Sequence, residues 1–249
     1  MANNDNNARV ALVTGGATRI GAEIVRTLHD AGLAVVIHYN RSAEKAEALA
    51  AALNHQRPGS ASLVGGDLLD TETPTRLMNH VGEVHGRLDV LVNNASTFYP
   101  TPVEDIRHTH WDDLMGTNLK APFFLALAAV ALLRAAEGCI VNLVDIHAYR
   151  PKKDYLIYSM AKAANAMMVK TLARELAPQV RVNGVAPGVI LWPENDASGE
   201  KQAEILARVP LGRAGTAADI ARAVRFMALE AGYVTGQVLP VDGGRTTQQ

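Results

Sequence analysis

Residues 10–21, VALVTGGATRIG, decide the fold. Residues 10–13 are apolar without a polar break, as expected of a strand covered on both faces. Gly15 and Gly16 follow almost at once, and Gly21 lies one turn into the helical pattern of residues 19–31. Glycine at a strand-to-helix turn allows tight backbone geometry and lets a pyrophosphate approach the amides of a helix N-terminus. Glycine-rich turns occur without any ligand. The position of this one, between a strand and a helix, favours a nucleotide.

Outward from that turn the alternation continues to the C-terminus. Apolar runs at 34–38, 62–64, 88–92, 140–143, 181–185 and 238–241 predict six further strands. Helical patterns separate them at 42–57, 73–85, 111–136, 155–177, 201–208 and 217–231, and Gly32 sits where a helix-ending glycine belongs. The fold class is therefore α/β: a single-domain, Rossmann-type, doubly wound parallel sheet of about seven strands with helices on both faces. No repeat or linker divides the chain, so residues 9–249 are read as one domain behind a short disordered tail, residues 1–8.

Composition narrows the function. With 249 residues, 48% hydrophobic and 20% charged, the chain can bury a full domain core. A formal net charge of −1 offers no broad basic field for nucleic acid or an acidic membrane. Residues 1–9 lack the apolar core of a secretory signal, and the most apolar stretch, 123–133, is far too short to span a bilayer. Cys139 is the only cysteine, which excludes an intrachain disulfide, and its neighbours Ile140 and Val141 suggest a buried thiol. The eight histidines are scattered without metal-ligand spacing, so no metal is expected. The expected setting is cytoplasmic.

The end of the second strand reads His38, Tyr39, Asn40, Arg41, Ser42. A site for an unphosphorylated adenosine ribose places Asp or Glu about 20 residues beyond the glycines. Here there is no acid. Arg41 offers a planar donor fork suited to phosphate and Ser42 adds a hydroxyl near the next helix N-terminus, although singly they could be a solvated arginine and an ordinary cap. Together they favour NADPH over NADH. Asp67 and Leu68 after the third strand, and Asn94, Ala95 and Ser96 after the fourth, fall at the carboxyl edge of the sheet, where ligands bind. Asp67 is either an acceptor for an adenine amino group or a turn-forming aspartate. Asn118, polar within an apolar helix, either bonds within a kink near the site or is an exposed helix residue.

Thirteen residues separate Asp145 from Tyr158, and Lys162 follows Tyr158 by four. Side chains at i and i+4 of a helix share one face. A neighbouring ammonium favours phenolate and would lower the tyrosine pKa from its usual ~10, making the phenol a competent proton donor to a group receiving hydride. Asp145 either joins that chemistry or merely caps the following loop.

Thr14-Gly15 with Gly21, Asn94-Ala95, Asn118, Tyr158 with Lys162, and Pro187-Gly188 together resemble the short-chain dehydrogenase/reductase superfamily over nearly the whole chain. The resemblance implies hydride transfer from a nicotinamide and, commonly, a homotetramer. It places the cofactor against Gly15, Arg19, Ile20, His38, Tyr39, Asn40, Arg41, Ser42, Asp67, Leu68, Asn94, Ala95, Ser96, Asn118, Tyr158, Lys162, Pro187 and Gly188. Two departures sharpen it. Arg19 replaces the glycine usual at the third motif position, and Asp145 replaces the serine usual upstream of the tyrosine. With the stretches 94–102 and 38–42, these look like the pteridine reductase branch, which reduces dihydropterins, and in some members dihydrofolate, with NADPH. By that resemblance Asp145, Tyr158 and Lys162 are catalytic, Phe98 stacks on the pterin, Arg19 faces pyrophosphate and pterin, and Ser96 and Tyr155 line the pocket.

Three features complete the reading. His147 and Tyr149 either touch substrate or face solvent. The segment after Gly188, with Trp192, covers the pocket or anchors packing. The helix around 121–133 is apolar nearly all round, so pairing with a symmetry mate would bury its outer face. The alternatives are a carbonyl reductase for 3-oxoacyl thioesters or small ketones, and a non-catalytic NADP-sensing scaffold.

Overall fold

The structure, a computed structural model, describes residues 8–191 and 199–247. The first seven residues of the predicted tail, and Trp192 with the segment after it, lie outside the described residues. Seven parallel strands form one sheet in the order β3-β2-β1-β4-β5-β6-β7: β1 Val10–Val13, β2 Ala34–Tyr39, β3 Ala61–Gly65, β4 Val90–Asn93, β5 Cys139–Leu143, β6 Arg181–Pro187 and β7 Val238–Val241. Order reverses between β1 and β4, so the carboxyl ends of those two strands flank a crevice where ligands of such sheets bind.

Helices cover both faces because successive strand residues point to opposite sides. Ala11 and Val13 of β1, Val35 and Ile37 of β2, and Val90 and Val92 of β4 face one core. That core is capped by α1 (Arg19–Asp30), α2 (Ala43–Gln56) and α8 (Ala217–Leu229). Val10, Leu12, Val36, Leu91 and Ile140 face the other, under α3 (Thr73–His85), α5 (Ala121–Ala135) and α6 (Leu156–Leu176). Full burial holds for β1, β4 and β5 but not at the sheet edges. Leu239 and Pro240 of β7 are exposed, and proline, which has no N–H for a ladder, is tolerated on an edge.

The helix predicted over 111–136 is longer and is interrupted. It starts at His108 as α4 (His108–Met115), passes through a π turn at Gly116–Lys120, and continues as α5. A π turn widens the ladder locally and frees backbone groups for outside partners. Here the Asn118 carbonyl accepts from Asn165 Nδ2 at 2.8 Å. The whole run His108–Ala135 is long and apolar enough to cross a membrane by length and composition, unlike the shorter 123–133 stretch alone. Its inner face, Leu125, Ala126, Ala129 and Leu133, is instead buried against the sheet. Remaining elements are α7 (Gly199–Ala207) and short 3-10 turns at Val103–Asp105, Ile146–Ala148 and Arg245–Thr247. Cys139 is buried within β5, and burial pushes its thiol up to about 11, consistent with an inert packing residue.

Candidate functional site

A cavity of about 1100 Å³ opens along the carboxyl edge of the sheet. Its floor at the β1–α1 turn is held from behind by buried polar groups. Thr14 Oγ1 accepts from the amides of Asn94 (2.9 Å) and Ala95 (3.0 Å), while Asn94 Nδ2 donates to the carbonyls of Thr14 (2.9 Å) and Gly15 (3.1 Å). The turn is so tight that a Cβ on Gly21 would lie 2.1 Å from the Gly15 carbonyl oxygen. Any side chain there would force helix and turn apart. Arg19 adopts φ 52°, the left-handed region. The backbone thus keeps a glycine-type conformation with an arginine in it, at a cost of roughly 1–2 kcal/mol. The exposed guanidinium-bearing residue lines the cavity.

His38, expected to touch cofactor, is on the cavity lining and also braces the glycine turn. The ring is 1% exposed, with Nδ1 accepting from the Gly15 amide at 3.3 Å and Nε2 facing the Gly66 carbonyl at 3.0 Å. Burial holds its pKa down at about 4, so the ring is neutral and carries its proton on Nε2. It braces the glycine turn with both nitrogens spoken for. Asn118 bonds within a kink near the site, the π turn, as one alternative had it. It is buried behind the cavity wall and excludes the exposed-helix alternative. Its Oδ1 accepts from Ser96 Oγ (2.6 Å), and its Nδ2 donates to the carbonyls of Thr97 (3.0 Å) and Leu114 (2.9 Å).

Farther along the cavity, Tyr39, Asn40, Arg41 and Ser42 follow β2 on its lip. Arg41 is exposed, and Ser42 occupies the N-cap of α2 without a side-chain capping bond. Ser42 thus holds the cap position while its hydroxyl does not close the cap. Asp67 accepts from the Leu69 amide at 3.0 Å, so it does form a turn, and with Leu68 it also lines the cavity. Ile20, Ala95, Pro187 and Gly188 complete this wall. A Cβ on Gly188 would meet Asp242 Cα at 2.6 Å, which is why a bare backbone passes there. The residues present fit a dinucleotide: glycines allow close backbone approach, and Arg41 and Ser42, whose side chains have no partner among the described residues, stand at the far lip.

The opposite end gathers Asp145, Tyr158 and Lys162. Asp145 ends the extended segment after β5, caps the following loop as one alternative had it, and also contacts Tyr158. Its Oδ1 accepts from the His147 amide at 2.8 Å, capping a 3-10 turn, and its Oδ2 accepts from the Tyr158 hydroxyl at 2.8 Å. Tyr158 and Lys162 share a face of α6, but the expected electrostatics are corrected. Lys162 Nζ donates to the Leu143 carbonyl at 2.8 Å and lies 5.6 Å from the Tyr158 ring centroid. Burial and the adjacent Asp145 charge raise the Tyr158 pKa well above 10. The phenol is therefore firmly neutral and is not tuned downward. Burial lowers Lys162 to about 8, partly opposed by Asp145.

Above this trio Phe98 stacks on Tyr155, with centroids 4.5 Å apart and planes at 22°, and meets Tyr158 edge-on at 4.8 Å. Lys152 Nζ sits 4.0 Å from the Tyr155 centroid and 4.9 Å from that of Phe98. His147 lines the cavity, whereas Tyr149 is exposed and does not.

Sequence reasoning missed two groups. One is a ladder of buried amides. Asn93 Nδ2 donates to Asn142 Oδ1 (2.9 Å), Asn142 Nδ2 to Asn165 Oδ1 (3.1 Å), and Asn165 Nδ2 to the Asn118 carbonyl. It ties the sheet to the π turn, which in turn holds the loop carrying Phe98. Asparagine inside apolar strand and helix patterns was the available signal. The other is Arg245, on the cavity wall from the far C-terminal turn. Nothing local in the sequence reveals that.

A family model described as Enoyl-(Acyl carrier protein) reductase matches residues 15–246. Pteridine reductase 1 of Leishmania tarentolae is 38% identical over 95% of this chain and 96% of its own length. Granaticin polyketide synthase putative ketoacyl reductase 2 of Streptomyces violaceoruber is 36% identical over 98% of both chains. The 3-oxoacyl-[acyl-carrier-protein] reductase FabG of Staphylococcus aureus is 35% identical over 94% of this chain and 96% of its own.

Proposed function

Because the chain belongs to the short-chain dehydrogenase/reductase family, whose members are oxidoreductases generally using NAD(P)H, we propose that it is an NADPH-dependent pteridine reductase. Identity alone does not choose among relatives at 38, 36 and 35%. Fold does not choose either, so the choice rests on the site. The observation that carries it is the Asp145 carboxylate bonded to the Tyr158 hydroxyl at 2.8 Å beneath the Phe98–Tyr155 stack.

That arrangement suits a flat heteroaromatic ring. A planar substrate joins an aromatic stack favourably, by about 0.5–1.5 kcal/mol beyond its buried area. Reduction of a C=N bond needs a proton at nitrogen as carbon gains hydride. Bound NADPH supplies the hydride. Tyr158, neutral at working pH, gives its proton to the substrate nitrogen. Asp145, reached from the cavity, takes up a proton from solvent and returns it to the phenolate. Lys162, a buried ammonium behind the tyrosine, would hold the nicotinamide ribose hydroxyls and steady the transient phenolate. At the other end Arg41 and Ser42 would grip the ribose 2′-phosphate, Arg19 the pyrophosphate. The substrate would lie against Ser96, Phe98 and Tyr155.

The second reading, a 3-oxoacyl thioester reductase, is favoured by the ketoacyl reductases at nearly equal identity. NADPH oxidation with dihydrobiopterin, dihydrofolate and an acetoacetyl thioester in parallel separates them. Turnover of the thioester and neither pterin would overturn the first reading. The assembly proposed is a homotetramer, since Phe124, Leu127, Met160 and Met167 leave apolar surface exposed on α5 and α6. Light scattering would report a mass four times the 26.6 kDa chain. A monomer would refute it.

A further inference from the structure

The C-terminal turn is built to bring one cation to the reaction end of the cavity. Gly243 and Gly244 take φ values of 64° and 86°, both left-handed. Asp242 ties the turn, its Oδ1 accepting from the Gly244 amide (2.9 Å) and its Oδ2 from the Thr246 amide (2.7 Å). The Gly243 carbonyl accepts from the Leu211 amide at 3.1 Å. A Cβ on Gly243 would come within 2.7 Å of Val209 Cγ1, so the turn sits tightly on residues 209–211. Arg245 emerges from it half-buried, on the wall that also carries Asp145 and Tyr155.

Its guanidinium is poorly compensated. Burial and the charge of Arg208 depress the Arg245 pKa, while Asp145 and Asp242 pull the other way. Both carboxylates are already engaged, Asp242 by two backbone amides and Asp145 by the His147 amide and the Tyr158 hydroxyl. Among the described residues Arg245 forms no ion pair and no side-chain hydrogen bond. Lys152, another cation on this side, lies over the Tyr155 and Phe98 rings. Arg245 on the cavity wall, near Arg208 and without an ion-pair partner among the described residues, offers a fork of donors to an oxyanion brought by a ligand.

We propose that Arg245, backed by Arg208, is a specificity-determining residue that receives an oxyanion on the substrate's tail, beyond the group that is reduced. The oxyanion is a carboxylate if the ring is a pterin, as the reading above has it, or a phosphate if the substrate is an acyl thioester. The proposal rests on the pterin reading for the ring and stands apart from it for the tail.

The test pairs an anionic with an uncharged substrate of the same reacting group: dihydrofolate against dihydrobiopterin, and acetoacetyl-coenzyme A against acetoacetyl-N-acetylcysteamine. Arg245→Met keeps the stem and removes the charge; Arg245→Lys keeps the charge. In Arg245→Met the KM for the anionic member should rise about 10- to 100-fold with kcat within about twofold, as loss of a charge-assisted contact predicts. The uncharged partner should stay within about twofold, and Arg245→Lys should recover much of the loss. Calorimetric binding of folate and biopterin to the NADP+-saturated protein gives the same comparison without turnover. Equal effects on both members of a pair, or no anion-selective loss in any assay, would overturn the proposal. Turnover of the thioesters alone would sink the pterin reading while the thioester pair still decides the role of Arg245.

Discussion

The two ends of the cavity are built differently. The dinucleotide end is backbone held by buried, spent groups. Thr14, His38 and Asn94 each hydrogen-bond main-chain atoms of the glycine turn or its neighbour, and Gly21 leaves no room for a methyl. The reaction end is side chains. Asp145, Tyr158, Phe98, Tyr155 and Arg245 meet from the ends of four separated segments and converge only in the fold. A backbone cradle recognises what all dinucleotides share. Side chains on loops can be exchanged without disturbing it, so they carry the choice of substrate.

The sharpest way to break this division is Tyr158→Phe. Removing a general acid costs about 10²–10⁴ in rate. Stopped-flow or steady-state NADPH oxidation with a dihydropterin should show kcat falling within that range, while fluorescence titration shows NADPH binding intact. A near-wild-type rate would move proton donation to Asp145 or water. It would also end the claim that chemistry and cofactor binding reside in separable halves.

Asp145 comes next in size. Asp145→Asn keeps the shape and the His147 cap while losing the acid, and Asp145→Ser installs the residue usual in the superfamily. Both should depress dihydropterin reduction at least about 10²-fold. The serine variant should gain weak activity on the acetoacetyl thioester, because a hydroxyl can donate to a developing alkoxide. Unchanged pterin turnover in both variants would reduce Asp145 to the cap of its 3-10 turn.

At the other end, Arg41→Ala should weaken NADPH binding about 10- to 100-fold and leave NADH nearly unchanged, read by fluorescence titration of each. Equal losses for the two would show that Arg41 does not read the 2′-phosphate.

The same contrast explains what the sequence could reveal. The seven strands and their order of appearance were legible because their pattern is local: continuous apolar runs between helical periods. The π turn was not, because it depends on Asn165, 47 residues from the Asn118 carbonyl it fills. Asp145, Tyr158 and Lys162 were legible as a spacing. Their electrostatics were not, because the sequence places Lys162 near Tyr158 yet cannot show that its ammonium turns to the Leu143 carbonyl. His38 was placed at the right end of the cavity, but its bracing of the glycine turn was not legible. A histidine at a strand end reads as a ligand group until burial shows both nitrogens taken. Arg245 was invisible, since nothing in residues 241–247 records that two left-handed glycines turn the chain back over a cavity formed by distant parts of the chain.

The smallest expected effect lies where the two ends meet, at Lys162. Burial lowers its pKa to about 8 from 10.5, so the ammonium is present at pH 7 and largely lost by pH 9. The sign for folding follows. The unfolded chain holds this proton more tightly, so Lys162 opposes folding below pH 8, and the penalty fades as pH rises from about 8 toward 10.5. Cofactor binding runs the other way. Ribose oxygens accepting from Lys162 favour the charged form, so binding takes up a proton and weakens as pH climbs through 8. Between pH 7 and pH 9 NADPH affinity should fall by up to roughly tenfold, the ratio of ammonium present at the two values. Lys162→Met should bind more weakly at pH 7 and lose most of that slope. Fluorescence titration across pH 6.5–9.5, with proton uptake followed by calorimetry in two buffers, measures both. A slope that persists in Lys162→Met would assign the proton to another group and detach Lys162 from the cofactor end. A flat wild-type profile would show that the buried ammonium stays charged throughout, with Asp145 holding it more strongly than its burial opposes it.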